Sequence, residues 1–135
     1  MAKNKSAGSL DTNLLLRLLL GDVPSHIQAV ETLLEKGTIF DVADAAIIEM
    51  IFVLEKIYGF ARQDIQENVY AITRNEQFNC NKVLFEYALP LYIKQSNLSL
   101  IDCVLLSYAR IQNVTPLWTF DKNLIKLSGG DAQAV

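Results

Sequence analysis

The sequence predicts an α/β domain of three layers, with a mainly parallel central sheet between helices. The first observation is that short apolar segments of strand length alternate along the chain with longer segments of helical periodicity. The second is that two strand candidates end in an aspartate, at Asp11 and Asp121. At 135 residues the chain can bury a single core, so residues 1–135 are expected to form one domain.

Residues that favour helix ends mark the boundaries of the first three helices. Gly21, Gly37 and Gly59 each follow a helical segment, and glycine commonly ends a helix. Pro24 suits the first turn of the second helix, and Asp44 is placed to cap the third. The elements expected in this half are strands at 7–11 and 38–42 and helices at 14–20, 24–36 and 45–58.

The second half of the chain continues the alternation. Ile65, Val69 and Ile72 recur at helical spacing and give the fourth helix an apolar stripe. Pro90 is expected to kink or divide the fifth helix, because proline lacks the N–H that a helix interior uses. The expected elements are helices at 62–74, 82–95, 100–111 and 122–127, a weak strand at 76–80, a clearly buried strand at 114–120, and loose tails at 1–6 and 129–135.

Composition and charge exclude several classes of protein. The net charge is −3, which argues against binding nucleic acid through a generally basic surface. The apolar run at 14–20 is split by Arg17 and is far too short for a membrane span. Two cysteines without a C-x-x-C motif predict a reducing, cytoplasmic location. The single histidine, His26, excludes a two-histidine ribonuclease mechanism, and the common phosphate-loop, zinc-protease and serine-hydrolase motifs are absent from the sequence.

Asp11 and Asp121 are candidate site residues because each follows a predicted strand. In α/β folds the functional crevice lies beyond the carboxyl ends of the strands, so the two acids are expected to be neighbours in space. Each acid also has a simpler interpretation. Asp11 can belong to a turn with Thr12 and Asn13, and Asp121 can cap the helix at 122–127.

Glu49 and Asp102 are candidates because their helices offer no cation three or four residues away. A carboxylate on an apolar helix face must be paired through a tertiary contact, be protonated or bind a metal ion. Both acids are expected to begin their helices, where free backbone N–H groups are an alternative partner. Each acid alone leaves these alternatives open, but the four together favour one shared site for a divalent metal ion.

Four segments, in their order and spacing, resemble the PIN-domain nucleases. The similarity covers nearly the whole chain and is closest to the small VapC-like toxin ribonucleases of toxin–antitoxin systems. The sequence departs from the family pattern at the sheet edges, where polar residues precede the first strand and the final strand is weak. The four segments are Ser9-Leu10-Asp11-Thr12-Asn13 with the leucine-rich helix after it, Glu49 ahead of Val53-Leu54, Ile101-Asp102-Cys103, and Thr119-Phe120-Asp121-Lys122.

The resemblance implies a reaction and the residues that perform it. The implied reaction is Mg²⁺- or Mn²⁺-dependent endonucleolytic hydrolysis of RNA by a single α/β/α domain. Carboxylate oxygens suit such hard cations. By the resemblance, the catalytic and metal-binding acids are Asp11, Glu49, Asp102 and Asp121, with Asn13 and Thr119 as polar supports.

The resemblance also implies RNA as substrate and a cognate antitoxin protein as partner. The leucine-rich helix after Asn13 and the apolar segment 51–54 offer surface for an antitoxin or for a homodimer. The alternative is that these side chains fill the core.

Two other functions fit part of the pattern. A catalytically silent PIN-like module would bind RNA or protein and keep its acids for folding, but intact acids at all four positions favour the enzyme. A flavodoxin-like phosphoacceptor domain would need paired acids early in the chain, and Leu10-Asp11 supplies only one.

Overall fold

The computed structural model describes residues 6–135 and divides the chain into two compact units, with the boundary between Asn81 and Lys82. The loose tail predicted at 1–6 lies, except for Ser6, outside the described residues. The first unit contains α1 (Thr12–Leu20), α2 (Pro24–Leu34), β1 (Phe40–Asp41), α3 (Asp44–Lys56), α4 (Arg62–Thr73) and β2 (Phe78–Asn79). The second contains α5 (Lys82–Lys94), α6 (Leu100–Ile111), β3 (Leu117–Thr119), α7 (Lys122–Leu127) and β4 (Ala132–Ala134).

The sheet of the first unit is a short parallel ladder. β1 pairs with β2 so that Phe40 lies opposite Phe78. The strand predicted at 7–11 is reduced to one parallel bridge, between Ser9 and Asp41. Gly8 explains part of this reduction, because its φ of +139° is a backbone conformation that a regular strand does not contain.

The core of the first unit consists of apolar stripes on its helices. α1 packs against α2 and α3, and α3 packs against α4. The predicted stripe on α4 is confirmed, since Ile65, Val69 and Ile72 are all buried. In the leucine-rich helix, Leu15 and Leu16 follow the core interpretation, whereas Leu14 and the three leucines at 18–20 are half-buried. The segment at 51–54 is mixed: Ile51 and Leu54 are fully buried, whereas Phe52 is 59% exposed.

The second unit combines a helix pair with a second parallel ladder. α5 packs on α6, and β3 pairs in parallel with β4 along three residues. α5 is a single helix with Pro90 inside it, and the expected division of this segment does not occur. The buried side chains of this helix, among them Phe85, Leu89 and Tyr92, offset the helix bond that proline cannot make.

The carboxyl-terminal residues differ most from the sequence prediction. Residues 129–135 were expected to be loose, but β4 lies within them and is paired with β3. Arg110 binds the segment that precedes β4. Its Nε donates to Asp131 Oδ2 at 2.7 Å, and its Nη2 donates to the Ser128 carbonyl at 2.7 Å. The strand predicted as clearly buried is largely uncovered, since Trp118 is 61% exposed and Phe120 is 85% exposed.

The predicted α/β class with parallel strands is confirmed by these two ladders and the helices around them. The helix boundaries agree closely with the sequence prediction, and α6 and α7 agree to the residue. Across residues 6–135, no helix has both the length and the hydropathy that crossing a bilayer requires.

Thr73, the last residue of α4, is fully buried, and its hydroxyl has no hydrogen-bond partner among the described residues. An unsatisfied buried polar group costs about 1–3 kcal/mol. Thr73→Val keeps the shape and removes this group, so we expect the free energy of unfolding in urea to rise by about 1 kcal/mol. Thr32→Val is the control, because the Thr32 hydroxyl is bonded to the Gln28 carbonyl at 2.8 Å. A less stable Thr73→Val protein would contradict the prediction.

Candidate functional site

Asp11 lies at the amino end of α1 and caps it. Its backbone is extended, with φ −88° and ψ 170°, and its Oδ1 accepts from the Leu14 N–H at 2.9 Å. The simpler interpretation expected a turn of Asp11 with Thr12 and Asn13, whereas in the structure Asp11 caps the helix that those two residues begin. The cap uses one carboxylate oxygen, and within residues 6–135 the other oxygen has no hydrogen-bond partner. The side chain is exposed, so the second oxygen can also serve a cation.

Glu49 lies in the second turn of α3, and the expectation that it begins its helix was wrong. Ala43 is the N-cap and Asp44, predicted as the cap, is the first helical residue. Glu49 is also exposed, because the buried stripe of α3 runs through Ile47 and Met50 and places Glu49 on the opposite side of the helix. The Glu49 carboxylate therefore faces solvent, so burial does not force it to find a charged partner.

A single open cleft of about 410 Å³ is lined by both Asp11 and Glu49. Asn13, one of the predicted polar supports, lines it as well and is exposed. One wall is made of small side chains, which leaves room beside the two carboxylates. The remaining lining residues are Thr12, Leu16, Ala43, Ala45, Ala46 and Val53.

Asp102 lies in the first turn of α6 and completes a capping box. The Ser99 hydroxyl accepts from the Asp102 N–H at 3.1 Å, and Asp102 Oδ2 accepts from the Ser99 N–H at 3.4 Å. The acid is half-buried. Its position at the start of the helix agrees with the prediction, and the box accounts for one of its two oxygens.

Asp121 lies between β3 and α7 and caps α7. Its Oδ1 accepts from the Leu124 N–H at 3.0 Å, and its own N–H donates to Thr119 Oγ1 at 3.0 Å. Thr119 thus supports the backbone of Asp121, and its side chain fixes the turn that leads into the helix. Asp121 therefore caps α7, as the simpler interpretation expected. The cap uses one carboxylate oxygen, and the other has no hydrogen-bond partner within residues 6–135.

The structure brings Asp11 and Glu49 to one cleft of the first unit, while Asp102 and Asp121 belong to the second unit. Throughout residues 6–135, no three His, Cys, Asp or Glu side chains form a group that could hold a metal ion. What the structure provides is one carboxylate pair in an open cleft and two further acids fixed at helix starts.

Thr12 is the residue that the sequence analysis missed. Its side chain is only 9% exposed, and its hydroxyl lies 3.2 Å from Glu49 Oε2 and 3.0 Å from the Ala46 carbonyl. The signal was present in the sequence, because a threonine at the start of a strongly apolar helix must find a hydrogen-bond partner when that helix packs.

A second cleft of the first unit, of about 590 Å³, contains acids that already have partners. Asn79 Nδ2 donates to Asp41 Oδ1 at 2.9 Å, and Asn81 Nδ2 donates to Asp44 Oδ2 at 3.4 Å. Asp41 and Asp44 therefore have local hydrogen-bond partners, although Asp44 is not the cap of α3.

Several arginines that could guide a phosphate backbone are engaged within the fold. Arg17 pairs with Asp22, and a hydrogen bond with Tyr58, followed by this pairing, raises the pKa of the Arg17 guanidinium above its ordinary value. The Arg74 guanidinium lies over the Tyr70 ring, 3.7 Å from its centroid. These side chains contribute to local packing.

A family model described as "PIN domain" matches residues 9–130, which is most of the chain. The chain belongs to the PIN-domain family. This PIN domain is 33% identical over 122 residues to a protein described as "VapC ribonuclease" from Aquifex aeolicus (strain VF5). The match covers 87% of this chain and 90% of that relative.

The two roles of Asp11, cap and charge, can be separated by substitution in this PIN domain. Asparagine caps a helix about as well as aspartate, whereas alanine does not cap it. We therefore expect Asp11→Asn to leave the free energy of unfolding nearly unchanged and Asp11→Ala to lower it by about 1 kcal/mol, measured by urea denaturation without metal. Equal stability of the two variants would show that the bond to the Leu14 N–H adds nothing.

Proposed function

We propose that this chain is a metal-dependent endoribonuclease that hydrolyses RNA phosphodiester bonds with Mg²⁺ or Mn²⁺. The observation that carries the proposal is the open cleft that Asp11 and Glu49 line together in a chain of the PIN-domain family. The relative described as a VapC ribonuclease supports RNA as the substrate class. The proposed ligands are Asp11, Glu49, Asp102 and Asp121, and the proposed polar supports are Asn13 and Thr119.

The donor chemistry of the cleft fits such an ion. Carboxylate oxygens are the ligands that Mg²⁺ and Mn²⁺ prefer, and Mg²⁺ is usually held by one or two carboxylates together with water and substrate phosphate. Asp11 and Glu49 meet this requirement in the first unit. The cap fixes the Asp11 side chain through one oxygen and leaves the other to a cation. The assignment of Asp102 and Asp121 rests on the family resemblance and on the same spare oxygen.

The residues of the chain then bind and orient the substrate around the ion. A bound ion supplies Lewis-acid polarisation of the phosphate and activation of water. Asp11 and Glu49 hold it, and the exposed Asn13 side chain offers hydrogen-bond donors to a phosphate oxygen at the same cleft. Ala45 and Ala46 leave space in the cleft wall, so the RNA backbone can approach the carboxylates.

The biological role proposed from the resemblance is that of the toxin in a toxin–antitoxin pair, with a cognate antitoxin protein as partner. The proposal includes a homodimer and a cytoplasmic location, both of which stay predictions. Phe52 on α3, which is 59% exposed, offers apolar surface for a protein contact. The catalytically silent PIN-like module is the alternative that the experiments below distinguish.

Metal binding should stabilise the fold, because an ion that binds only the native state raises its stability. We expect Mg²⁺ or Mn²⁺ to add about 2.7 kcal/mol when the free ion exceeds its Kd by 100-fold, measured as a rise in Tm. Asp11→Asn should reduce this rise in Tm. Asp64 is an exposed acid in the first turn of α4 and lies outside the cleft, so Asp64→Asn should leave the rise unchanged. An unchanged Tm of the unaltered protein in millimolar metal would contradict the proposed ion.

Cleavage of RNA tests the reaction itself. With Mg²⁺ or Mn²⁺ the purified protein should cut total RNA, and EDTA should stop it. Asp11→Asn and Glu49→Gln should each lower the rate by about 100-fold or more, since each removes a charged ligand. Asp64→Asn and Glu31→Gln are the matched controls. A folded protein that binds metal but cuts no RNA would favour the silent module, and cleavage insensitive to both EDTA and Asp11→Asn would overturn the mechanism.

A further inference from the structure

Thr12 connects the two helices that carry the acids of the cleft. It is the first residue of α1, directly after the cap Asp11, and its side chain reaches α3. The hydroxyl Oγ1 lies 3.2 Å from Glu49 Oε2 although 37 residues separate the two in the chain. Since Thr12 is only 9% exposed, water competes little for this hydroxyl.

The hydroxyl has one proton and two acceptors within reach. The Ala46 carbonyl lies 3.0 Å away, and as part of α3 it also serves the helix as an acceptor. The Glu49 carboxylate is charged, and a bond to a charged acceptor is about twice as strong as one to a neutral acceptor. The carbonyl is the nearer acceptor and the carboxylate the stronger one, so the proton is shared between them. This arrangement restricts the rotation of an otherwise exposed glutamate.

We propose that Thr12 is a positioning residue that holds the Glu49 carboxylate ready for the metal ion, an inference that rests on the proposed function. Asp11 is fixed by its cap bond to Leu14 and is joined to Thr12 by one peptide link. The bond from Thr12 to Glu49 ties the second carboxylate to the same helix start. The relative position of the two acids thus depends on one buried hydroxyl.

A merely structural role for Thr12 makes a different prediction. If the hydroxyl only satisfied the Ala46 carbonyl, its removal would change stability by the same amount whatever residue stood at position 49. If it holds Glu49, the effects of the two positions are coupled. The distinction can be measured without any metal.

The first experiment is a double-mutant cycle on the metal-free protein, using Thr12→Val and Glu49→Ala. Thr12→Val should lower Tm by about 3–5 °C in the unaltered protein and by less than half as much in the Glu49→Ala background. Equal losses in both backgrounds would overturn the proposed contact. Thr12→Ser keeps the hydroxyl and should restore the coupling.

The second experiment measures Mn²⁺ binding by calorimetry. Substitutions of residues that orient metal ligands typically cost 10- to 100-fold in metal affinity. Thr12→Val should therefore raise the Kd for Mn²⁺ by about tenfold, and Thr12→Ser should return it close to the original value. Thr73→Val is the matched control, because it removes a buried hydroxyl of the same unit that touches no carboxylate.

The outcomes separate this inference from the function on which it rests. If the unaltered protein binds Mn²⁺ and Thr12→Val binds it equally well, the positioning role is overturned and the proposed function stands. If the unaltered protein binds no Mn²⁺, the proposed function fails, whereas the stability cycle still decides whether Thr12 holds Glu49. A raised Kd that Thr12→Ser reverses supports the positioning role.

Discussion

The start of a helix imposes the constraint on which the candidate site depends. The first backbone N–H groups of a helix have no partner within the helix, and a side-chain oxygen can supply one. Asp11 and Asp121 do so at α1 and α7, and at α6 Asp102 completes the capping box with Ser99. Because a cap bond fixes the rotamer of the capping side chain, the same bond that completes the helix also fixes the direction of the carboxylate. Formation of these helix starts therefore also fixes the positions of the three aspartates.

Helices were predictable from the sequence, and strands and surfaces were less so. The boundaries of α6 and α7 follow from local signals, such as Ser99 and Asp121, which act within a few residues. β1 and β2 contain only two residues each, since their extent depends on pairing that no local signal records. The uncovered Trp118 and Phe120 show the same limit, because an apolar residue does not reveal whether anything packs against it.

The candidate site divides in the same way. The four acids were selected as candidates from missing cations and strand-end positions, and their role stays a prediction. The argument from burial was wrong for Glu49, which is exposed on the side of α3 away from its buried stripe. Thr12 escaped notice because its role depends on Glu49, which lies 37 residues away. Sequence shows which residue types are present, and only the packed helices show which hydroxyl meets which carboxylate.

Capping does not by itself explain why the residues at 11 and 121 carry charge. Asparagine would accept the same N–H bonds, and the negative charge of aspartate adds only about 0.3–1 kcal/mol through the helix dipole. At Asp11 the charge lies at an open cleft that Glu49 also lines. Arg17, in the last turn of the same helix, is paired with Asp22. A divalent cation bound at the cleft would neutralise the Asp11 and Glu49 carboxylates together, and this is the physical link between the cap of α1 and the proposed chemistry.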